Sequence, residues 1–358
     1  MKERIFTGKS MRSHGLNRDP FAVPRRRVDW PDCRIPTRRG VLALCLMLVL
    51  AFVLSGCSLG TRVQGRKLLG KGSYEQGIER FTEKVAANPD DPVANYFLGR
   101  FLLAEERFKP AHEHLLKATR IDPKKPDYFF WLGVAQWSLG RFDQERESYL
   151  TVLNLDPDYL QARVYLGHNY LDRKEYPMAL EQYSKALDLS DKHPEALYNK
   201  ALTLGKLGLS EESRSTYKEY LKHYPDGVLG RSAIQFLNER GDFTYRLHAL
   251  GIRKVPLEWI QFEPGTARLR PEAYPSLRTI GAFLTQNTAN RLIIQSFCKG
   301  DTALASQRGN EIKEFLLRGY PSVDAGRLEV QAHGRPERVQ TGDKIYALDR
   351  SIVFKTSR

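Results

Sequence analysis

Cysteine is nearly absent, at 4 of 358 residues, and the four are placed so that no disulfide framework can form. Cys33 and Cys45 lie in a leader-like segment, Cys57 closes it, and Cys298 stands alone. A disulfide-stapled scaffold is therefore excluded, and no Cys-x-x-Cys spacing offers a zinc or redox site. No Gly-rich phosphate loop appears either. The histidines after the leader (His112, His114, His168, His193, His223, His248 and His333) are dispersed over separate segments. His112 and His114 are two apart, so on a helix they point away from each other and share no metal. The chain gives no reason to expect an enzyme, a cofactor or a metal centre.

The net charge of +14 overstates the basicity of the folded part. Residues 1–56 hold 11 of the 56 Lys and Arg and 4 of the 42 Asp and Glu, which leaves +7 on the remainder. That mild excess does not call for nucleic acid, although it suits anionic lipid or wall polymers. Within the leader, Arg38-Arg39 precede an apolar run from Gly40 to Val53, then Leu54-Ser55-Gly56-Cys57. A charged segment, a short apolar core and small residues are the layout of a secretory signal. The last four letters resemble the lipobox of bacterial lipoproteins, which implies acylation of Cys57 and, with Ser58 next, an outer-membrane address. A retained membrane helix is the alternative. Thr37-Arg38-Arg39 also resembles a twin-arginine export signal. The length of residues 1–39 fits a start codon assigned too far upstream.

Beyond the leader, Pro89, Pro123, Pro157, Asp191 and Pro225 recur every 34 residues. Eight before each stands Phe81, Leu115, Tyr149, Tyr183 or Tyr217, and Leu-Gly pairs recur at Leu98, Leu132 and Leu166. The pattern predicts paired helices: Gly99, Gly133, Gly167 and Ala201 let backbones approach, rings fill the gaps, and the marks end each second helix. This is the tetratricopeptide (TPR) spacing, and the chain resembles that family over about residues 58–225. A helix over 227–239 is expected to cap the stack through Ile234, Phe236 and Leu237. The resemblance implies a groove lined by the first helix of each pair, here Tyr96, Arg100, Phe130, Val134, Trp137, Gln161, His168, Asp172, Tyr198 and Lys206. Tyr96 and Arg100, then Phe130 and Val134, replace the lysine and asparagine that grip chaperone tails. An aromatic trough for an extended or helical peptide is expected instead. Glu145-Arg146-Glu147 and Glu211-Glu212 read as solvated helix faces.

The 34-residue ruler stops after Arg240. Residues 241–255 read as a polar, basic linker, followed by strands near 257–262, 292–297, 328–332 and 351–354 and helices near 271–286 and 302–317. Ile260 to Glu263, Ala267 to Leu269, Pro271 to Ala273, Arg308, Leu328 to Val330 with Gly334, and Asp349 to Val353 resemble the OmpA-like domain; the alternative is an unrelated α+β sandwich. The resemblance implies that a diaminopimelate carboxylate of peptidoglycan meets Arg308 and Arg350. Phe297-Cys298-Lys299 replaces the family's His-Thr-Asp, which leaves Asp301 as the nearest acid for the ligand's amine. The alternative is that both arginines are solvated.

The fold expected is thus multi-domain: an all-α TPR superhelix, then an α+β OmpA-like domain of βαβαββ order. The boundaries are 1–56 signal peptide, 57–240 five repeats and a capping helix, 241–255 linker and 256–358 OmpA-like domain. The expected role is a lipid-anchored periplasmic scaffold that binds envelope proteins or peptides in its groove, contacts peptidoglycan and binds no nucleic acid. The rival is a plain wall tether whose repeats are a spacer; a third reading is an accessory that presents murein to a hydrolase.

Overall fold

The computed structural model describes residues 59–357. The candidate signal sequence, Cys57 and Ser58 lie outside the described residues. No helix among the described residues is long and apolar enough to cross a membrane. Two compact units divide the chain after Lys174.

The first unit is a run of helices: α1 over 59–71, α2 Tyr74–Ala87, α3 Pro92–Ala104, α4 Phe108–Ile121, α5 Pro126–Ser138, α6 Phe142–Leu155 and α7 Leu160–Asp172. Asp91 caps α3 by accepting the N–H groups of Val93 and Ala94, and Pro92 and Pro126 occupy first-turn sites where no N–H is needed. Phe81, Leu115 and Tyr149 are fully buried, as the ruler predicts. Gly99 and Gly133 explain the Leu-Gly signal: an added Cβ would meet Leu115 Cγ or Tyr149 Cε1 at 2.5 Å. A left-handed residue turns the chain at Gly72, Glu106, Gly140, Lys174 and Gly208, again 34 apart.

One expectation fails inside this unit. Glu145 is completely buried, not solvated. It accepts from Asn169 Nδ2 at 2.9 Å, and Asn169 in turn accepts from Arg146 Nε at 3.1 Å and donates to the Phe142 carbonyl. Local charge density signalled a surface because the partner sits on another helix. Glu147, Glu211 and Glu212 are exposed.

The second unit begins with α8 Tyr176–Leu189, α9 Pro194–Lys206, α10 Ser210–His223 and the capping helix α11 Gly227–Glu239. Ile234 and Leu237 are buried, and Phe236 packs against Tyr217 at 4.7 Å. The expected linker is instead a hairpin of β1 Tyr245–Leu250 and β2 Arg253–Glu258, turned at Gly251. Tyr245 and Leu247 join the cluster formed by Tyr217, Tyr220, Ile234 and Leu237, so the helical stack runs directly into the sheet. Composition misled here because β1 carries polar and basic letters yet is covered on both faces, with Tyr245 in that cluster and Leu250 fully buried in the core of the sheet.

A 3₁₀ turn at Pro271–Ala273 leads into α12 Tyr274–Gln286, followed by β3 Arg291–Cys298, α13 Thr302–Gly319, β4 Leu328–His333, β5 Glu337–Thr341, β6 Lys344–Leu348 and β7 Arg350–Ser357. The strand expected at 257–262 ends at Glu258, and Phe262 makes only an isolated bridge with Leu269. The sheet order is β2-β1-β7-β3-β4, with β5 and β6 as a separate hairpin. Thus β1 and the β5–β6 hairpin are additions to the expected βαβαββ order. Leu277, Ile280, Leu284, Ile312 and Leu316 cover one face of the sheet, above Leu292, Ile294, Ile352 and Phe354.

Candidate functional site

Chemistry-bearing residues converge where β3 ends and β7 begins. Cys298 is paired with Arg350 in the antiparallel β3–β7 ladder, so their side chains share a face of the sheet. Arg308, on α13, lies on that face too. It is 5% exposed: its Nε donates to the Thr266 carbonyl at 2.9 Å, its Nη1 to Cys298 Sγ at 3.5 Å, and its guanidinium covers the Phe262 ring at 4.7 Å. No carboxylate pairs with it among the described residues. A guanidinium held away from water with only neutral partners keeps an unspent charge. Arg350 is exposed.

The acids near this edge are partly committed. Asp301 caps α13 by accepting the Leu304 N–H at 2.8 Å. Lys299 pairs with Asp349 at 3.5 Å, while its own N–H donates to the Asp349 carbonyl. Sequence spacing left Asp349 out because only the strand register brings it beside residue 299. Gly300 N–H donates to the Gly334 carbonyl at 2.9 Å, which draws the turn after β4 to the same edge. The structure therefore gathers Arg308, Arg350 and Asp301 at one end of the sheet, and adds Cys298, Thr266 and Asp349.

The expected groove residues fare differently. Tyr96, Phe130, Val134 and His168 are buried, at 7% exposure or less. Tyr96 meets Phe97 and Tyr128 at 5.0 and 4.8 Å; Phe130 meets Tyr149, Tyr159 and Tyr165 between 5.1 and 5.8 Å. Rings on first helices fill the gap to the next first helix, so four of the ten expected trough residues are interior. Burial raises the Tyr96 phenol despite the opposing Arg100 charge, and pushes Tyr128 up to about 12. Arg100, Trp137 and Tyr198 are half-buried, while Gln161, Asp172 and Lys206 are exposed. Arg100 stacks over Trp131 at 4.1 Å and donates to Tyr96 Oη at 3.2 Å. Tyr198 packs edge-on against Tyr217 and Tyr220. Elsewhere in the first unit, a largely apolar cleft of about 460 Å³ is lined by Ile78, Val85, Leu98, Leu102, Pro110 and His114.

Family models agree with both halves of this description. Tetratricopeptide repeat models match residues 68–129, 102–159 and 195–227, a TPR repeat model matches 167–208, and the OmpA family model matches 261–347. The chain carries TPR repeats and an OmpA domain. Neither match is to a catalytic family. No curated protein matches the chain. Among solved structures, MamA is 21% identical, with 46% of this chain and 90% of that one covered and a TM-score of 0.42. YrrB, described as a TPR protein with an unusual peptide-binding site, is 19% identical over 48% of this chain and 89% of its own, with a TM-score of 0.43. A thermophilic TPR protein of Thermus thermophilus, TTC0263, is 22% identical over 51% of this chain and 99% of its own, with a TM-score of 0.42.

The OmpA model begins at residue 261, after the β1–β2 hairpin, so that hairpin lies outside the matched part of the domain. It is tied to the rest of the domain: Arg246 of β1 reaches Glu337 of β5 through two bonds of 2.8 and 2.6 Å. No local pattern could have found that pair.

Proposed function

We propose that the protein is a lipid-anchored scaffold of the bacterial envelope, facing the periplasm from the outer membrane. Acylated Cys57 holds it there, the repeats take a protein partner, and the OmpA domain grips a peptidoglycan stem peptide. The observation that carries this reading is the buried Arg308 guanidinium, without a carboxylate partner among the described residues, with Arg350 on the same sheet face and edge. A stem-peptide carboxylate would supply the missing anion, since the guanidinium fork matches two carboxylate oxygens. Asp301 and Asp349 are the acids available to the ligand's amine, and the Asp349–Lys299 pair softens the repulsion that Lys299 alone would impose.

Arg350→Ala is the discriminating variant because Arg350 is exposed, whereas Arg308→Ala also removes the Thr266 and Phe262 contacts. Full-length protein should pellet with insoluble peptidoglycan. Arg350→Ala should weaken that binding roughly tenfold, as expected for loss of one charged hydrogen-bonding partner. Unchanged pelleting would remove Arg350 from the site, and wild type left in the supernatant would end the peptidoglycan reading.

Burial of Tyr96, Phe130 and His168 favours a second reading, a wall tether whose repeats act mainly as a spacer. In the scaffold, partner contact falls to Arg100, Trp137 and Tyr198. Trp137→Ala should then release co-purifying envelope proteins while leaving the helical content unchanged. Retention of every one of them would favour the tether.

A further inference from the structure

The first helix of the first unit has a face that the packing of the repeats does not use. On α1 the exposed residues include Leu59, Val63, Arg66, Lys67, Gly70 and Lys71. They follow the spacing i, i+4, i+7, i+8, i+11 and i+12, which is one side of a helix. Thr61 and Gly65 face the opposite way and are buried. Leu59 is 64% and Val63 59% exposed, an uncommon degree for two apolar neighbours on one turn. The helix holds four cations (Arg62, Arg66, Lys67 and Lys71) and no acid. No ion pair neutralises any of the four among the described residues.

The face is also graded along its length. Its apolar pair lies at the start, two residues from Cys57, and its cations lie towards the end. We propose that this face of α1 lies on a phospholipid surface bearing anionic headgroups. Leu59 and Val63 enter the boundary of the acyl chains, and Arg66, Lys67 and Lys71 meet headgroup phosphates. Charge complementarity selects this occupant: a second copy of this face would set three cations against three. An interfacial helix of this composition binds through buried apolar area plus attraction to anionic lipid. Each basic side chain near such a surface contributes a factor of about five in binding. The inference rests on the lipid-anchor reading for the nearness of α1 to a bilayer. Docking would hold the repeats at a fixed orientation to the membrane, which an acyl chain alone does not provide.

The test uses full-length protein isolated from bacterial membranes and reconstituted into vesicles. Val63→Cys carries an environment-sensitive dye; buried Cys298 is protected from the reagent. Mass measurement of the N-terminal peptide reports separately whether Cys57 is acylated. In vesicles containing phosphatidylglycerol the dye emission should shift to the blue, and in phosphatidylcholine alone it should not. The combined variant Arg66→Glu, Lys67→Glu, Lys71→Glu should weaken docking on the order of a hundredfold, with helical content retained. Molar salt should do the same by screening. Unshifted emission in phosphatidylglycerol vesicles, with Cys57 acylated, would overturn the inference. So would a shift that needs no vesicles and grows with protein concentration, which would assign the face to a second copy. A phosphatidylglycerol-dependent shift without acylation, present with Val63→Cys and absent from wild type treated with the same dye, would uphold the docking face and sink the anchor instead.

Discussion

The helical repeats and the sheet-bearing region are held together over different distances along the chain. In the repeats, ties recur at one separation: Arg107 to Glu75, Tyr159 to Asp127 and Tyr224 to the Lys192 carbonyl each span 32 residues. Within each unit the helices answer to their neighbours, so stability there is close to a sum of local terms. The sheet is fastened by a few long reaches instead. Arg246 binds Glu337 91 residues away, His248 Nδ1 accepts the Phe354 N–H 106 away, and Tyr346 Oη donates to the Glu239 carbonyl 107 away. Damage should therefore stay local in the first kind of structure and spread in the second.

The largest expected effect tests that contrast directly. Glu337 is nearly buried and is the partner of a half-buried Arg246, through a bidentate pair at 2.6 and 2.8 Å. Glu337→Ala strands the guanidinium in a poorly hydrated place, at a cost of about 3 kcal/mol or more. Urea unfolding followed at the sheet should show the loss. Arg246→Ala made in the Glu337→Ala background should then recover part of it. A cost below about 1 kcal/mol would mean that the long reaches do not fasten the sheet.

A smaller effect, set by pH, comes from His248. Burial first, and then the Arg246 charge, lower its pKa from 6.5 to about 3, and the Phe354 N–H donated to Nδ1 needs the neutral ring. The neutral ring is the folded form, so its full contribution is present above pH 6.5. As the pH falls from 6.5 towards 3, the unfolded chain binds a proton that the folded one refuses. Stability then drops by up to about 1.4 kcal/mol per pH unit. His248→Asn keeps an acceptor for the Phe354 N–H and should flatten that slope. An unchanged slope in denaturant titrations between pH 4 and 6 would assign the acid sensitivity elsewhere.

The same contrast explains what could be read from the chain alone. The repeats are legible because helices within a unit pack on their sequence neighbours, so that Tyr149 and Gly133 betray one another at a fixed offset. The ruler could not say which rings face outward, since Tyr96 and Phe130 sit where a groove or an interior would both take an aromatic residue. In the sheet, β3 and α13 announced themselves through apolar runs. The β1–β2 hairpin did not, because its partners are a capping helix and a strand about a hundred residues on. The Arg308 site was half visible: its arginines have family positions, while Cys298, Thr266 and Asp349 reach it only through strand register and a loop.

The smallest expected effect would sharpen the local half of the contrast. Gly72, Gly140 and Gly208 hold the left-handed turn position of their repeats, but Glu106 and Lys174 hold it with φ near 60°. A side chain there costs about 1–2 kcal/mol in backbone strain, against roughly 0.5–1 kcal/mol of extra chain entropy that glycine surrenders on folding. Glu106 is exposed, so its replacement disturbs little packing. Glu106→Gly should stabilise the protein by about 0.5 kcal/mol, read as a higher urea midpoint with an unchanged slope. Lys174→Gly should add to it nearly independently, because sites in separate repeats share no partner. If Glu106→Gly destabilises instead, Glu106 makes a contact that outweighs its backbone strain, and the repeats are less local than their spacing implies.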